Sequence, residues 1–417
     1  MPKKKRSILQ PEYMNRFKCI GGACEDCCCA GWRVSVDKKT FLMYRRVEDK
    51  ELKEQLDKYI KRERKEDVKN DDAYALVVLV NGKCPLLDAQ NLCSLQNKLG
   101  YKGLCDVCAI YPRLYKLVDK KLERCATASC PELARVALFS EDGIVFEEAE
   151  EAPSLGRIPA RAPSLAPGLT KFAAKPVKFF WDVRLFCLSL LQNREYALGQ
   201  RLMLLGMLCR KIDELGKASN VEEIPALLER FGADVETGSL KADLDAVETN
   251  FSIQMRLAKE LTDERMKQEL VASNVYLVCV METLAGLDFV VGSDPDAIVK
   301  KYVENRETYV AAYLKDKAYV LENFVVNEFF ARLMPFGIGE STWDSYLFLC
   351  VLYGMVKLHI NGVAGCRKGL TDEAVVRIIQ SFSRVVLHNA KFIPNMIKRL
   401  KENEFDTLAW MAILVGD

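Results

Sequence analysis

Histidine is scarce in this sequence, since the 417 residues include two histidines beside sixteen cysteines. A zinc site built on imidazole ligands is therefore not expected. A basic excess is missing as well, because 60 Lys and Arg residues stand against 58 Asp and Glu residues. Dedicated nucleic-acid-binding proteins usually carry such an excess, so we expect no nucleic-acid partner.

Long apolar runs are missing too. The longest, such as Tyr346–Val356, fall short of the roughly 20 residues that a membrane-spanning helix needs. Met1–Arg6 is basic, but polar residues follow where a signal peptide would have its apolar core. We therefore expect a cytoplasmic protein with no membrane partner, a solvated basic tail, and cysteines kept as thiols.

The composition favours a globular protein, since half of the residues are hydrophobic and 28% are charged. The length allows about two or three domains, each with a core of its own. Four prolines and two glycines between Pro153 and Leu169 predict a boundary. The predicted domains are a cysteine-rich part at 1–150, a linker or loop at 151–170 and a helical part at 171–417.

The cysteine-rich part is predicted to be a small mixed α/β region. Lys38–Lys65, with charged residues four apart, and Pro131–Phe139, with proline at its first position, predict helices. The apolar, β-branched run Tyr74–Val80 predicts a buried strand, and Gly143–Glu147 predicts another.

The part after the boundary is predicted to be entirely helical, with about nine helices. Apolar residues recur at helical spacing in several segments. Thr371 is a predicted N-cap, and the apolar stripe that follows it comprises Val375, Ile378, Ile379, Phe382 and Val386. The fold class is therefore mainly α, with a small cysteine-rich α/β domain before a multi-helix domain.

Cysteines concentrate at the start of the chain, where eleven of the sixteen lie between Cys19 and Cys130. Of the other five, Cys366 falls in a glycine-containing stretch and is predicted to be a loop thiol. The remaining four lie in apolar helical contexts and are predicted to be core residues: Cys187, Cys209, Cys279 and Cys350.

The spacing of the early cysteines suggests a metal site. It reads Cys19-x4-Cys24-x2-Cys27-Cys28-Cys29, then Cys84-x8-Cys93, Cys105-x2-Cys108 and Cys125-x4-Cys130. Thiolates are ligands for zinc and for iron–sulfur clusters. Adjacent cysteines rarely reach one zinc ion together, so a polynuclear cluster is favoured, and thiols without any metal remain the alternative.

Two cysteine blocks resemble a known family. They are FKCIGGACEDCCCAGWRVSVDKKTFLMY at Phe17–Tyr44 and CPLLDAQNLCSLQNKLGYKGLCDVCAIYPR at Cys84–Arg113. Both are similar to the bacterial flagellin lysine-N-methylase family, whose related cysteine-rich domains are described as zinc- or iron-chelating. Further matches are Ser129–Glu132 and, more weakly, Leu191–Tyr196, Arg201 and Ser381–Asn389.

The resemblance implies a set of metal ligands. Matched position by position, the family's cysteines fall on Cys19, Cys24, Cys28, Cys29, Cys84, Cys93, Cys108 and Cys130. This set implies a cysteine-ligated iron–sulfur cluster (4Fe-4S), with zinc as the alternative. Three cysteines are additional to the pattern, namely Cys27, Cys105 and Cys125.

The resemblance also implies an activity: methyl transfer from S-adenosylmethionine to lysine side chains of flagellin. The sequence shows neither the Gly-rich loop of a Rossmann-type methyltransferase nor a C-x3-C-x2-C triplet. The cofactor-binding residues and the catalytic base are therefore not assigned. Weak catalytic candidates are Tyr111, Arg113, Arg194, Arg384 and His388, for each of which a structural role is the alternative. His359 and Trp32 are expected to be structural.

A second hypothesis belongs to another class of protein. A non-catalytic metal-binding or redox-responsive adaptor would hold its amino-terminal part in shape with the metal and bind a partner through its helices. The lack of a recognisable cofactor loop favours this hypothesis, whereas the resemblance over nearly the whole chain opposes it.

Overall fold

The computed structural model describes residues 6–63, 71–151, 163–267, 273–290, 292–389 and 391–417. The chain forms two compact units. The cysteine-rich unit comprises Met1–Leu133 and Phe146–Ser164, and the helical unit comprises Ala134–Val145 and Leu165–Asp417. The start of the basic tail and residues 152–162 of the expected linker lie outside the described residues, so the domain bounds stay a prediction.

The cysteine-rich unit contains a five-stranded sheet in the order β7-β1-β6-β5-β8. Strand β1 is parallel to β6, with Ile8 opposite Leu122, and antiparallel to β7. A three-stranded antiparallel sheet has the order β2-β4-β3. The strands are β1 Arg6–Pro11, β2 Ser35–Val36, β3 Ile60–Arg62, β4 Ala75–Val77, β5 Arg113–Val118, β6 Lys121–Ala126, β7 Phe146–Glu151 and β8 Ser164–Leu165.

The hairpin of β5 and β6 turns on two residues, Asp119 and Lys120, which have φ angles of 46° and 67°. Positive φ at both positions is the geometry whose twist matches a two-residue hairpin. This hairpin ends beside the cysteines, because β5 starts at Arg113 and β6 carries Cys125.

Five short α-helices begin in the cysteine-rich part of the chain. Asp37 caps the first of them by accepting from the Thr40 N–H, and Asp49 caps the second by accepting from the Leu52 N–H. The helices are α1 Lys38–Tyr44, α2 Lys50–Tyr59, α3 Ser94–Leu99, α4 Asp106–Ile110 and α5 Pro131–Leu138. A small core of buried residues, including Leu52, Leu56 and Leu86, lies among them.

The helical unit packs its helices around α15, a 26-residue helix that is buried along most of its length. Two π-helical turns, Arg306–Val310 and Ser383–Leu387, follow α12 and α16. The α-helices are α6 Phe180–Leu191, α7 Leu198–Lys217, α8 Ile224–Thr237, α9 Lys241–Asp245, α10 Phe251–Lys267, α11 Asn274–Gly286, α12 Pro295–Asn305, α13 Ala311–Lys317, α14 Tyr319–Ala331, α15 Thr342–Arg367, α16 Asp372–Phe382, α17 Phe392–Glu402 and α18 Leu408–Val415.

Among the described helices, α15 is long and apolar enough to cross a membrane. However, 94% of its most apolar window is buried inside the protein. A helix that is apolar on every side belongs in the core of a large helical unit as readily as in a bilayer. Its burial identifies α15 as the core helix.

The predicted fold class is confirmed, since small sheets and short helices precede a multi-helix part. Several element predictions are wrong in their limits. Lys38–Lys65 is two helices separated near Asp49, the Tyr74–Val80 run holds the three-residue β4, and β7 begins at Phe146 rather than at Gly143.

In the helical part the count was too low, because the described residues after Phe172 hold the thirteen segments α6 to α18. Thr371 does cap α16, and its apolar stripe is buried. Cys187, Cys209, Cys279 and Cys350 are core residues as predicted. Cys366 is exposed, but it lies in the last turn of α15 rather than in a loop.

Candidate functional site

The cysteine-rich unit brings distant cysteines together through its backbone. The Cys84 N–H donates to the Cys29 carbonyl over 2.8 Å. An isolated β-bridge pairs Leu87 with Cys93, at the position where α3 begins. Cys105 precedes α4 and Cys108 lies within it. No disulfide bond joins cysteines of the described chain.

The additional cysteines Cys27 and Cys105 contact ligands of the predicted set. The Cys29 N–H donates to Cys27 Sγ over 3.4 Å, and hydrogen bonds with the Cys27 and Cys28 thiols raise the pKa of Cys29. Cys105 and Cys108 share a thiol hydrogen bond that lowers the pKa of Cys105 and raises that of Cys108. Each of these two additional cysteines therefore lies beside a thiol of the predicted set, and the Cys105–Cys108 contact falls within a C-x-x-C pair.

Burial keeps other thiols of this group protonated. It raises the pKa of Cys84 to about 11 and that of Cys130 to about 12. The charges of Cys24 and Cys28 act on Cys130 in the same direction, which places these three cysteines near one another. Burial also raises the pKa of Cys93, again with a contribution from Cys28.

We call the nine cysteines just described the thiol cluster: Cys24, Cys27, Cys28, Cys29, Cys84, Cys93, Cys105, Cys108 and Cys130. The thiol cluster has the donor atoms of a soft-metal site but not the final geometry of one. Within the described residues, no three or more Cys, His, Asp or Glu side chains are arranged so that they could hold a metal ion as they stand. The donors fit zinc or an iron–sulfur cluster by chemistry. Metal binding would have to draw the neighbouring thiols inward and displace their protons.

Three cysteines of the predicted set are exposed, namely Cys19, Cys28 and Cys108, whereas the additional Cys125 is buried. Cys125 is 2% exposed and pairs with Leu114 within the β5–β6 hairpin. Cys125 is therefore built into the sheet, which separates it from Cys27 and Cys105 in role.

Tyr111 and Arg113 are held by neighbours in the cysteine-rich unit. The Tyr111 hydroxyl lies 3.1 Å from Ser129 Oγ, and its ring meets Trp32 edge to face at 5.1 Å. Trp32 Nε1 donates to the Cys28 carbonyl over 2.6 Å. The Arg113 guanidinium lies over the Phe17 ring at 5.2 Å. These contacts hold aromatic rings beside the thiol cluster.

Arg194 belongs to an ion-pair cluster of the helical unit. Glu322, 1% exposed on α14, accepts from Arg194 over 2.9 Å and from Arg201 over 2.7 Å. Arg201 is 5% exposed and also donates to the Leu191 carbonyl. Glu322 was not among the residues predicted from the sequence, although a glutamate inside the apolar segment YVLENFVV is the signal that could have identified it.

Arg384 and His388 lie at the π-helical turn that follows α16. Arg384 is 4% exposed. Burial lowers the pKa of His388 to about 4, and the charges of Arg332 and Arg384 act in the same direction. The structure thus brings these two candidates near each other and places Arg384 in the interior of the protein.

His359 has the structural role expected for it. Its ring is fully buried, with Nε2 3.0 Å from the Tyr276 hydroxyl and Nδ1 3.0 Å from Thr283 Oγ1. Burial lowers its pKa to about 4. The imidazole is therefore neutral at physiological pH and satisfied at both nitrogens.

A groove of about 1110 Å³ opens in the cysteine-rich unit, and it was not predicted from the sequence. Its apolar lining comes from Leu42, Met43, Val47 and Leu99. Six acidic residues line it: Asp37, Glu48, Asp49, Asp71, Asp72 and Asp106. Four basic residues accompany them: Lys38, Lys39, Arg46 and Lys102.

Comparisons with known proteins bear on both units. A protein named "Lysine-N-methylase", from Salmonella typhimurium strain LT2, is 22% identical over 415 residues, which cover 95% of this chain and 96% of that protein. The "Flagellar biosynthetic protein FliU" of Salmonella muenchen is 29% identical over 147 residues, covering 35% of this chain and 85% of that protein. No solved structure matches this fold significantly.

A family model covers more than half of the chain. The FliB lysine N-methylase C-terminal domain matches residues 184–414, which run from α6 to α18. The match includes Glu322, Arg201 and the turn with Arg384. The chain belongs to the FliB lysine N-methylase family.

Proposed function

We propose that this protein is an S-adenosylmethionine-dependent protein-lysine N-methyltransferase that modifies flagellin in the cytoplasm. The observation that carries the proposal is the similarity to a protein named lysine-N-methylase along nearly the full length of both chains. The flagellar name of a second relative supports flagellin as the substrate.

The reaction is simple in its bonding. The lysine Nε lone pair forms a bond to the methyl carbon while the carbon–sulfur bond breaks, and the nitrogen then loses a proton. S-adenosylmethionine would supply the methyl group when bound. The protein must hold the amine in line with that group, which is worth several kcal/mol, and must keep the amine unprotonated.

We further propose that the thiol cluster of the cysteine-rich unit binds a metal, either an iron–sulfur cluster of the 4Fe-4S type or zinc. The neighbouring thiols of Cys24, Cys28 and Cys130 and the Cys105–Cys108 pair support this proposal. The segments of Cys84, Cys93 and Cys105 pack against a small buried core. A bound metal would add folding free energy to that core, because the separate cysteine segments would share one metal.

The activity can be tested by co-expression with flagellin from the same organism. Intact-mass spectrometry should show gains of about 14 Da per methyl group, and peptide mapping should place them on lysines. Flagellin from a strain that lacks this gene should have lost those modifications. Unchanged lysine methylation in that strain would exclude flagellin as the substrate.

Titration calorimetry distinguishes the enzyme from an adaptor. The purified protein should bind S-adenosylmethionine, and heat should be released on injection in the presence or absence of flagellin. A protein that bound no S-adenosylmethionine and transferred no methyl group would instead be the metal-binding adaptor.

A further inference from the structure

The groove of the cysteine-rich unit has two kinds of lining that match the two ends of a lysine side chain. Leu42 is 47% exposed although it is apolar, and it lies with Met43, Val47 and Leu99 along the groove. A lysine side chain buries its methylene stem against apolar surface and keeps its ammonium group among polar groups. The apolar lining fits the stem and the surrounding carboxylates fit the ammonium group.

The charges of the groove favour a cation. Six acidic residues line it beside four basic residues, which gives the lining a formal charge of −2. Lys38 and Asp71 pair over 3.3 Å and cancel one another, whereas Asp49 pairs over 3.1 Å with Lys98, which lies outside the lining, so a smaller negative excess remains. A volume of about 1110 Å³ exceeds what one side chain fills. The space therefore fits a chain segment that carries a lysine.

One wall of the groove lies beside two cysteines of the thiol cluster, Cys105 and Cys108. The Asp106 N–H, between Cys105 and Cys108, donates to Asp37 over 3.1 Å. The Tyr44 hydroxyl donates to the Gly103 carbonyl over 2.9 Å. Tyr44 and Cys105 belong to the same buried core, so this tyrosine lies near the thiols. A lysine in the groove would thus lie near the candidate metal site.

We propose that this groove binds a surface segment of the protein substrate that presents an unmethylated lysine. The proposal rests on the proposed function for the identity of the substrate, but it assigns the recognition surface independently. Glu48 and Leu42 are the recognition residues, since both are exposed and both line the groove.

Binding of purified monomeric flagellin, without any methyl donor, tests the inference. Glu48→Lys should weaken binding about threefold to tenfold, because it reverses one rim charge toward the lysine. Glu54→Lys is the matched control: it makes the same charge change on exposed α2 and lies outside the groove. Chemical acetylation of the flagellin lysines removes their charge and should abolish the difference between the two variants.

A second pair of variants tests the apolar lining. Leu42→Ala should weaken flagellin binding about threefold through lost apolar contact, whereas Val78→Ala, 44% exposed and outside the groove, should not. If wild-type protein binds no flagellin, or if Glu48→Lys binds as Glu54→Lys does, the groove inference is wrong. Methylation by wild-type protein is scored separately, so flagellin binding without methyl transfer would overturn the proposed function and leave the groove standing.

Discussion

At the scale of single residues, the buried carboxylate of Glu322 pairs with two arginines. It is 1% exposed and accepts from both Arg194 and Arg201. Glu322→Ala should leave the buried Arg201 guanidinium without its carboxylate, and breaking a buried pair in this way costs about 3–5 kcal/mol. Urea unfolding followed by far-UV circular dichroism should report that loss.

Arg194 provides the control for this prediction. Its side chain is 47% exposed, and ion pairs of exposed groups contribute about 1 kcal/mol or less. Arg194→Ala should therefore cost far less stability than Glu322→Ala. Equal losses of unfolding free energy in the two variants would contradict the prediction that burial of the Glu322–Arg201 pair sets the cost.

His359 should make the helical unit sensitive to acid. Burial lowers its folded-state pKa to about 4, below the value near 6.5 in an unfolded chain. Between these values the unfolded chain binds more protons, so stability falls as pH decreases through this window and the loss is complete below pH 4. The expected contribution is about 2 kcal/mol between pH 7 and pH 5.

The variant His359→Gln isolates this contribution. Glutamine does not titrate, so the variant should be less stable at pH 7 but should lose less stability on going to pH 5. His388, whose pKa is also lowered to about 4, remains in both proteins and cancels in the comparison. Parallel pH curves for wild type and variant would contradict the assignment.

Single residues show where sequence reasoning reaches its limit. Cys279 and Cys350 were predicted to be core residues because apolar periodicity surrounds them, and they are buried. Glu322 and Arg384 are buried too, although charged residues are usually exposed. The burial of Glu322 depends on partners far along the chain, such as Arg201, which local patterns do not contain.

At the scale of elements, helices α11 and α15 approach closely at a glycine. A Cβ atom at Gly286 would lie 1.8 Å from the Gly362 carbonyl oxygen and 2.5 Å from the Cys366 nitrogen. Both neighbours are backbone atoms of α15 and cannot turn aside. Gly286→Ala should therefore force the helices apart and cost about 3 kcal/mol, measurable by urea unfolding.

Gly232 in α8 is the matched control. A Cβ atom there would meet the tip of the Phe186 ring at 3.3 Å, and a side chain can give way. Alanine is the better helix former, so Gly232→Ala should change stability by less than about 1 kcal/mol. If Gly286→Ala were equally mild, the close approach of α11 and α15 would be wrong.

Elements were predictable where their pattern is local. Thr371 and the stripe behind it mark α16 from sequence alone. The β5–β6 hairpin was missed, because its turn is Asp119-Lys120 rather than the Asn-Gly or Asp-Gly pair that signals such turns. The Lys38–Lys65 helix was overextended, because the cap at Asp49 lies inside a run of charged residues that looks continuous.

At the scale of the whole molecule, the units do not follow chain order. Residues 134–145 belong to the helical unit, and Phe146 returns to the cysteine-rich unit, where β7 pairs with β1. Composition separates a cysteine-rich start from a helical remainder. It cannot show that a strand near residue 150 completes a sheet begun at Arg6, because strand pairing is long-range.

The division of the chain predicts where metal binding resides. Protein purified without oxygen should contain iron and labile sulfide and absorb visible light. Cys28→Ser and Cys108→Ser should lose that metal and become less soluble, because a metal shared by separate segments of the unit would contribute to its folding free energy. Elemental analysis and the absorption spectrum measure both effects.

Three further serine variants serve as comparisons for this prediction. Cys105→Ser should also lose metal, since Cys105 shares a hydrogen bond with Cys108. Cys125→Ser, buried within its β-hairpin, and Cys279→Ser, buried in the helical unit, should both keep it. Colourless protein with one tightly bound zinc would show that the site holds zinc and not an iron–sulfur cluster. Loss of metal from Cys279→Ser as complete as from Cys28→Ser would refute a metal site confined to the cysteine-rich unit.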